Sequence, residues 1–354
     1  MSTGQRRPEP RSLSTIGDQL RARGHQGGEA QTPASPPGAP PPAAAAGDGP
    51  QGSAVPPDGV LPLPETTARR IRAGWTGSHP ALAFEKFVFW PSGWQLQAQE
   101  RRSPKLVFLE CFAKAYNQHP VRPFYEGAVC ARRLAFLEAL RQSGWVVRTQ
   151  QMKTSWRMVS GLGMSHPFET GFVFDRSIGV PYLPGSSLKG AARAWALAAA
   201  AEDADVWRDR GGPIEALFGP RGDSDGSDET SLEQGGAMFL DVYPTKWPVL
   251  EVDILNPHYK EYYDSVNDGS TLIPPADYLS PTPIYFLTVA PNQPFEIAVA
   301  VRKDLRPELL EAARTAGVDQ FAELALAAAT GAARDAGLGG KTAVGYGYLE
   351  EVKG

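Results

Sequence analysis

A serine pair, a lysine and an arginine at the start of an alanine-rich segment could bind phosphate. Gly179 to Arg193 reads GVPYLPGSSLKGAAR, an extended run over Val180 to Leu183 stopped by Pro184 and Gly185. Ser186 and Ser187 then stand where a helix N-cap is wanted, and the alanines that follow predict a helix to about residue 201. A helix start with free amides, two hydroxyls, Lys189 and Arg193 suits an anion. A second candidate is the run Gly337 to Gly347, GLGGKTAVGYG. Its Gly340-Lys341-Thr342 invites a triphosphate reading, but a P-loop needs glycine five residues before the Gly-Lys pair, where Asp335 stands. The predicted order, helix before and strand after, is also the reverse of a P-loop. What remains is glycine backbone at Gly339 and Gly340 that nucleic acid can approach closely, with Lys341 and Thr342 beside it. Lys341 would contact phosphate and Tyr346 would offer a stacking face. A glycine turn packed on the core is the alternative, and both can hold at once.

His166 lies beside Gly161-Leu162-Gly163, which is not a dinucleotide fingerprint because histidine occupies its last glycine position. Histidine there is a general-base candidate. Metal-independent RNA cleavage needs a base near the 2′-hydroxyl and a cation or acid at the leaving oxygen, types that His166, Tyr182 and Lys189 possess. Asp175 and Asp264 are loop aspartates; the alternative for each is ordinary solvation. The acidic segment 221–236 lacks calcium-loop spacing, and the histidines show no metal-ligand pairing, so neither a metal nor another cofactor is expected.

The elements that must position these groups can be read from period and punctuation. Trp145 to Val159 alternates as a strand with a polar, partly basic face that includes Lys153 and Arg157. Before it, Lys105 to Gln118 and Gly127 to Ser143 have helical periodicity, the second with Val129, Leu134, Leu137 and Leu140 inward. After the central helix come strands at Gly236 to Val242 and Val249 to Leu255, then a loop-like stretch over 256–281. A strand pair follows at Ile284 to Val289 and Phe295 to Val301. Helices at Arg306 to Ala316 and Asp319 to Ala336 and a last strand at Tyr346 to Val352 complete the chain.

Composition bounds the rest. The chain has 354 residues, 42% hydrophobic, with a net charge of −4, so nucleic acid would meet a local patch rather than a basic surface. Residues 1–75, rich in Pro, Gly and Ala, read as a disordered leader. Residues 80–144 read as a helical extension and 145–354 as the main domain. Cys111 and Cys130 suit reduced thiols. No apolar run is long enough to span a membrane and no signal peptide is evident, which predicts a cytoplasmic protein.

Tyr182-Leu183-Pro184-Gly185-Ser186-Ser187-Leu188-Lys189-Gly190 with Arg193 resembles the signature of the RAMP proteins, RNA-binding subunits of CRISPR effector complexes. Gly161-Leu162-Gly163 with His166-Pro167-Phe168-Glu169-Thr170-Gly171 agrees, as does the terminal loop from Gly337. With Asn256-Pro257-His258-Tyr259 and Pro281-Thr282-Pro283 between them, the order looks most like the sixth RAMP subunits of type III-B (Cmr) complexes. The resemblance covers about residues 145–350. It implies an α+β fold: a ferredoxin-like (RRM-like) RAMP core with a glycine-rich loop and long insertions, one sheet face left for RNA. It implies guide (crRNA) and target RNA and the other RAMP subunits of the Cmr complex as partners, and no catalysis. The RNA contacts would come from Lys153, Arg157, His166, Gly185, Ser186, Ser187, Lys189, Arg193, Gly339, Gly340, Lys341, Thr342 and Tyr346. The stretch 256–281 is the candidate for the family's projecting thumb. A histidine-based RAMP endoribonuclease, a type III-A subunit and a purely structural scaffold are the alternatives.

Overall fold

The computed structural model describes residues 59–91, 103–201, 207, 210–220, 234–257, 259–268, 273–276, 281 and 283–352. The N-terminal part is built around aromatic side chains. Strand β1 (Gly59–Val60) pairs with β2 (Trp90–Pro91), and between them lie helices α1 (Glu65–Gly74) and α2 (Pro80–Glu85). Trp75, 2% exposed, sits edge-on to Phe89, Phe108 and Phe112. Ordered structure therefore begins before residue 75, because Trp75 finds an aromatic site; residues 1–58 of the expected leader lie outside the described residues. Helix α3 (Pro104–Asn117) opens on a proline at its first turn, where the missing N–H costs nothing. Its Phe108, Phe112 and Tyr116 recur every four residues and form one buried face. Helix α4 (Cys130–Gln142) follows a short helical turn over Arg122–Phe124 and a wider, π-type turn over Tyr125–Val129.

The main domain runs β3 (Trp145–Thr154), α5 (Gly185–Ala201), α6 (Glu215–Phe218), β4 (Ala237–Phe239), β5 (Tyr243–Pro244), β6 (Leu250–Leu255), α7 (Lys260–Asp268), β7 (Ile284–Val289), β8 (Pro294–Arg302), α8 (Pro307–Ala312), α9 (Val318–Gly331) and β9 (Leu349–Glu351). Its sheet has the order β4-β8-β3-β9, with every neighbouring pair antiparallel, and β5 also pairs with β8. Since β3 and β4 both oppose β8, they run parallel to each other and are joined through α5. By the same argument β8 and β9 are parallel and joined through α9. Two strand–helix–strand units interleave. Helix α9 packs on β3, β8 and α5. Its Ala322, Ala325, Ala328 and Ala329 are fully buried, and their small side chains let the helices approach closely.

The other sheet face is not left open. Leu137 of α4 packs on Val147, Ala298 and Ala300, with Leu140 beside it. Arg133, one helical turn before Leu137, reaches Glu296 in β8, which also accepts from Gln151. The polar face of β3, expected to meet RNA, is partly roofed by the N-terminal extension. Leu134, expected inward, is 60% exposed because it lies about 100° round the helix from the Arg133–Leu137–Leu140 stripe.

Several element bounds differ from the sequence pattern. Strand β3 stops at Thr154, whose hydroxyl donates to the carbonyl of Ala290 while its own carbonyl accepts from Asn292. The stretch expected as a loop over 256–281 contains helix α7. The last strand begins at Leu349, after a turn that takes Tyr346 and Gly347. Strands β6 and β7 form a separate ribbon beside α3, whose Asn117 side chain accepts from the Leu250 amide and donates to its carbonyl. Of the acidic segment 221–236, residues 221–233 lie outside the described residues.

Candidate nucleic-acid interface

The three glycine-containing motifs, far apart in sequence, meet in the fold. Gly340 donates its amide to the carbonyl of Val159, and Gly347 donates to the carbonyl of Arg157. At Gly339, φ is +94° and a Cβ would lie 2.3 Å from the Val159 carbonyl oxygen and 3.7 Å from Leu183. Only glycine can place the terminal loop between the Gly161 segment and the strand leading into α5. The packing role expected as an alternative for this loop is therefore real at Gly339.

The start of α5 is already closed by an acid. Gly185 donates its amide to the Asp241 carboxylate at 2.6 Å, and the Ser187 and Leu188 amides donate to the Pro184 carbonyl. Ser186 and Ser187 are exposed residues inside the first turn, not N-caps. Gly185 is itself required, since a Cβ there would sit 2.3 Å from the Phe239 carbonyl oxygen. An anion at this helix start would compete with Asp241.

The cations beyond the first turn are different. Lys189 and Arg193, four residues apart and on one side of α5, are half-exposed and have no hydrogen-bond or ion-pair partner among the described residues. Ser186 and Lys189 line a cleft of about 850 Å³ together with Arg302, Arg306 and the backbone of Gly235 and Gly236. Asp304, the acid lining this cleft, is held by Arg302 at 2.6 and 2.7 Å. Arg306 is exposed and unpaired among the described residues. The cleft thus carries an excess of positive charge beside exposed hydroxyl and amide groups, a composition that suits a phosphodiester backbone.

Other expected contacts are engaged within the protein. Lys153 pairs with Glu350 at 2.9 Å, and Arg157 with both Glu251 and Asp253 at 2.9 Å. Tyr346, 9% exposed, donates its hydroxyl to Asp253 at 2.6 Å. Burial, and then that bond to a carboxylate, push its phenol well above the ordinary range. Its ring is not an open stacking face. Lys341 adopts a left-handed backbone (φ 59°) and lays its ammonium over the Phe286 and Tyr346 rings, 5.6 and 5.7 Å from their centroids. Thr342 begins a single helical turn, and its carbonyl accepts from Gly345.

His166 has neither ring nitrogen spare. Nδ1 accepts from the Phe168 amide at 3.0 Å, which makes Nε2 the protonated nitrogen, donating to the Phe84 carbonyl at 2.9 Å. The ring stacks on Phe84 with centroids 4.2 Å apart. Burial lowers its pKa against the opposing pull of the Phe84 carbonyl. His166 and Lys189 line separate clefts, so the base–cation pairing conceived for cleavage is not assembled. Tyr182 stacks on Tyr243. Asp175 accepts from the Ser177 and Ile178 amides and the Tyr243 hydroxyl, the pattern of a turn-forming aspartate.

Sequence reasoning passed over Asp241, Arg302 and Arg306. The basic run Arg302-Lys303…Arg306 was visible. Its approach to Lys189 was not, because that depends on β8 lying beside β4.

The RAMP superfamily profile matches residues 98–350. The CRISPR system Cmr subunit Cmr6 of Pyrococcus furiosus is 33% identical over 246 residues, 57% of this chain and 67% of that protein. Among solved structures, the chain is similar to one in the cryo-EM structure of the type III-B Cmr-beta bound to cognate target RNA, with a TM-score of 0.44 and 19% identity over 72% of this chain and 77% of the other. The crystal structure of Cmr6 from Pyrococcus furiosus aligns with a TM-score of 0.33 and 29% identity, covering 59% of this chain and 99% of that one. Among the described residues no helix is long and apolar enough to cross a membrane.

Proposed function

This chain belongs to the RAMP superfamily, and from that premise we propose that it is a non-catalytic, RNA-binding subunit of a type III-B CRISPR ribonucleoprotein. It would cap the subunit backbone near the 3′ end of the guide RNA and help hold guide and target RNA in antiviral defence. Its partners would be those RNAs and the other RAMP subunits. Similarity to Cmr6 supports the assembly. We read the core as ferredoxin-like, a reading supported by two interleaved strand–helix–strand units in the order β4-β8-β3-β9.

The observation that carries the RNA reading is the pair of unpaired cations, Lys189 and Arg306, that line the cleft at the start of α5, with the unpaired Arg193 one helical turn beyond Lys189. Such groups grip phosphate without reading bases, so sequence specificity is left to guide–target pairing. The non-catalytic reading is supported by His166, whose ring nitrogens are both engaged in structural hydrogen bonds.

Affinity purification of the tagged chain from its host, with sequencing of co-eluting RNA, tests the reading. Short RNAs sharing a repeat-derived 5′ tag, together with other RAMP subunits, are expected. A clean monomer without RNA would refute the assembly. Metal-independent cutting of repeat RNA that His166→Ala abolishes would refute the non-catalytic reading.

A further inference from the structure

A second cleft, of about 500 Å³, lies between the Gly161–Gly171 loop and the α2 segment. It is lined by two kinds of group. One kind is aromatic or polarisable: the half-buried Trp90 and Met164, which is 42% exposed, with the buried Phe172 also in the lining. Lys86 and Arg176 are the cations of the lining. Both are exposed, and neither has a hydrogen-bond or ion-pair partner among the described residues. Glu85 is the carboxylate of the lining, leaving an excess of positive charge. His166 is in the lining but has no free ring nitrogen, so the cleft is built for binding and not for proton transfer.

We propose that this cleft seats one unpaired ribonucleotide, its base against Trp90 and Met164 and its phosphate between Lys86 and Arg176. The volume lies in the range of small-ligand pockets. Stacking on aromatic surface beside cationic side chains is the general mode by which single strands are held without sequence preference. The position within the chain adds to the argument. Lys86 and Trp90 precede residue 98, where the superfamily match begins, while Met164, Phe172 and Arg176 lie inside it. The site is therefore completed by the N-terminal extension, which places α2 and β2 against a loop of the main domain. The proposal rests on the RNA reading for its ligand but uses different residues.

The test uses the full-length protein and a single-stranded RNA carrying 4-thiouridine, with photo-crosslinked peptides mapped by mass spectrometry. Adducts on the peptides containing Trp90 or Met164 are expected. In Lys86→Ala/Arg176→Ala those adducts should be lost, affinity should fall about tenfold, and the log–log salt slope should become shallower by about 1.4, the value for two single-strand phosphate contacts. Both substitutions are at exposed positions, so folding should persist and melting confirms it. In Lys189→Ala/Arg193→Ala the cleft adducts should persist at saturating RNA. RNA retained with crosslinks only elsewhere, and unchanged by Lys86→Ala/Arg176→Ala, overturns this proposal alone. No RNA retention under any condition overturns it together with the RNA reading.

Discussion

Arg133, Arg148, Lys153 and Arg157 each meet a carboxylate, whereas Lys189, Arg193 and Arg306 meet none among the described residues. The two sets have the same chemistry and opposite surroundings. The first lies on or around the central sheet, where Glu296, Asp319, Glu350, Glu251 and Asp253 are brought alongside it. The second lies on α5 and after β8, beside a cleft whose aspartate is already taken by Arg302. Paired cations hold elements together and present little field outward. Unpaired ones remain available to an external anion. Positive charge in a strand with an alternating pattern is thus a poor guide to which cations stay unpaired; the acids across the sheet decide it.

The largest effect expected concerns the paired set. Arg133→Ala strands Glu296, whose side chain is 5% exposed, with Gln151 as its remaining hydrogen-bond partner, and should cost about 3 kcal/mol. Urea denaturation reads this, and a loss well under 1 kcal/mol would break the distinction. The unpaired set should behave in the reverse way. The triple variant Lys189→Ala, Arg193→Ala, Arg306→Ala should weaken single-stranded RNA binding and flatten the log–log salt slope by about 2. Its stability should change by no more than about 0.5 kcal/mol per site. An unaltered slope would remove α5 from the interface.

Asp241→Asn sharpens the comparison at the boundary between the sets. It keeps a hydrogen-bond acceptor for Gly185 but removes the charge at the helix start, which should cost about 0.5 kcal/mol and leave the cleft more attractive to phosphate. Unchanged or weaker RNA binding would mean that the helix start takes no part. The smallest effect expected is with pH. His166 and His119 both have pKa values lowered chiefly by burial. The unfolded chain therefore takes up more protons as pH falls through about 6.5, and stability should be complete above that point and decline below it. A melting temperature that rises on acidification over this window would contradict the buried, neutral assignment.

Much of the fold was legible. The helical period of Lys105 to Gln118 foretells α3, the helix expected over Asp319 to Ala336 corresponds to α9, and Pro184-Gly185 marks the entry to α5. Local signals failed where a partner from elsewhere decides the outcome. Leu134 and Leu137 look alike in the sequence, but Leu137 is the one aligned with Arg133 on the side facing the sheet. Trp75 sits in a stretch of polar composition and is ordered because Phe89, Phe108 and Phe112 surround it. Ser186 and Ser187 occupy the expected place for a cap, yet Asp241, 56 residues away from Gly185, supplies the acceptor.

By itself the sequence determined most of the segments that become helices and strands, because side-chain period, proline and glycine act over a few residues. It also marked the Gly161, Gly185 and Gly339 stretches as places of close backbone approach, since glycine there leaves no Cβ to collide with a neighbouring chain. Tertiary structure alone decided that those stretches meet at Val159, that α4 covers part of the sheet, and which of the cations are neutralised. Charge neutralisation falls off over a few ångströms, and distances of that kind between residues far apart in the chain exist only once the strands have paired.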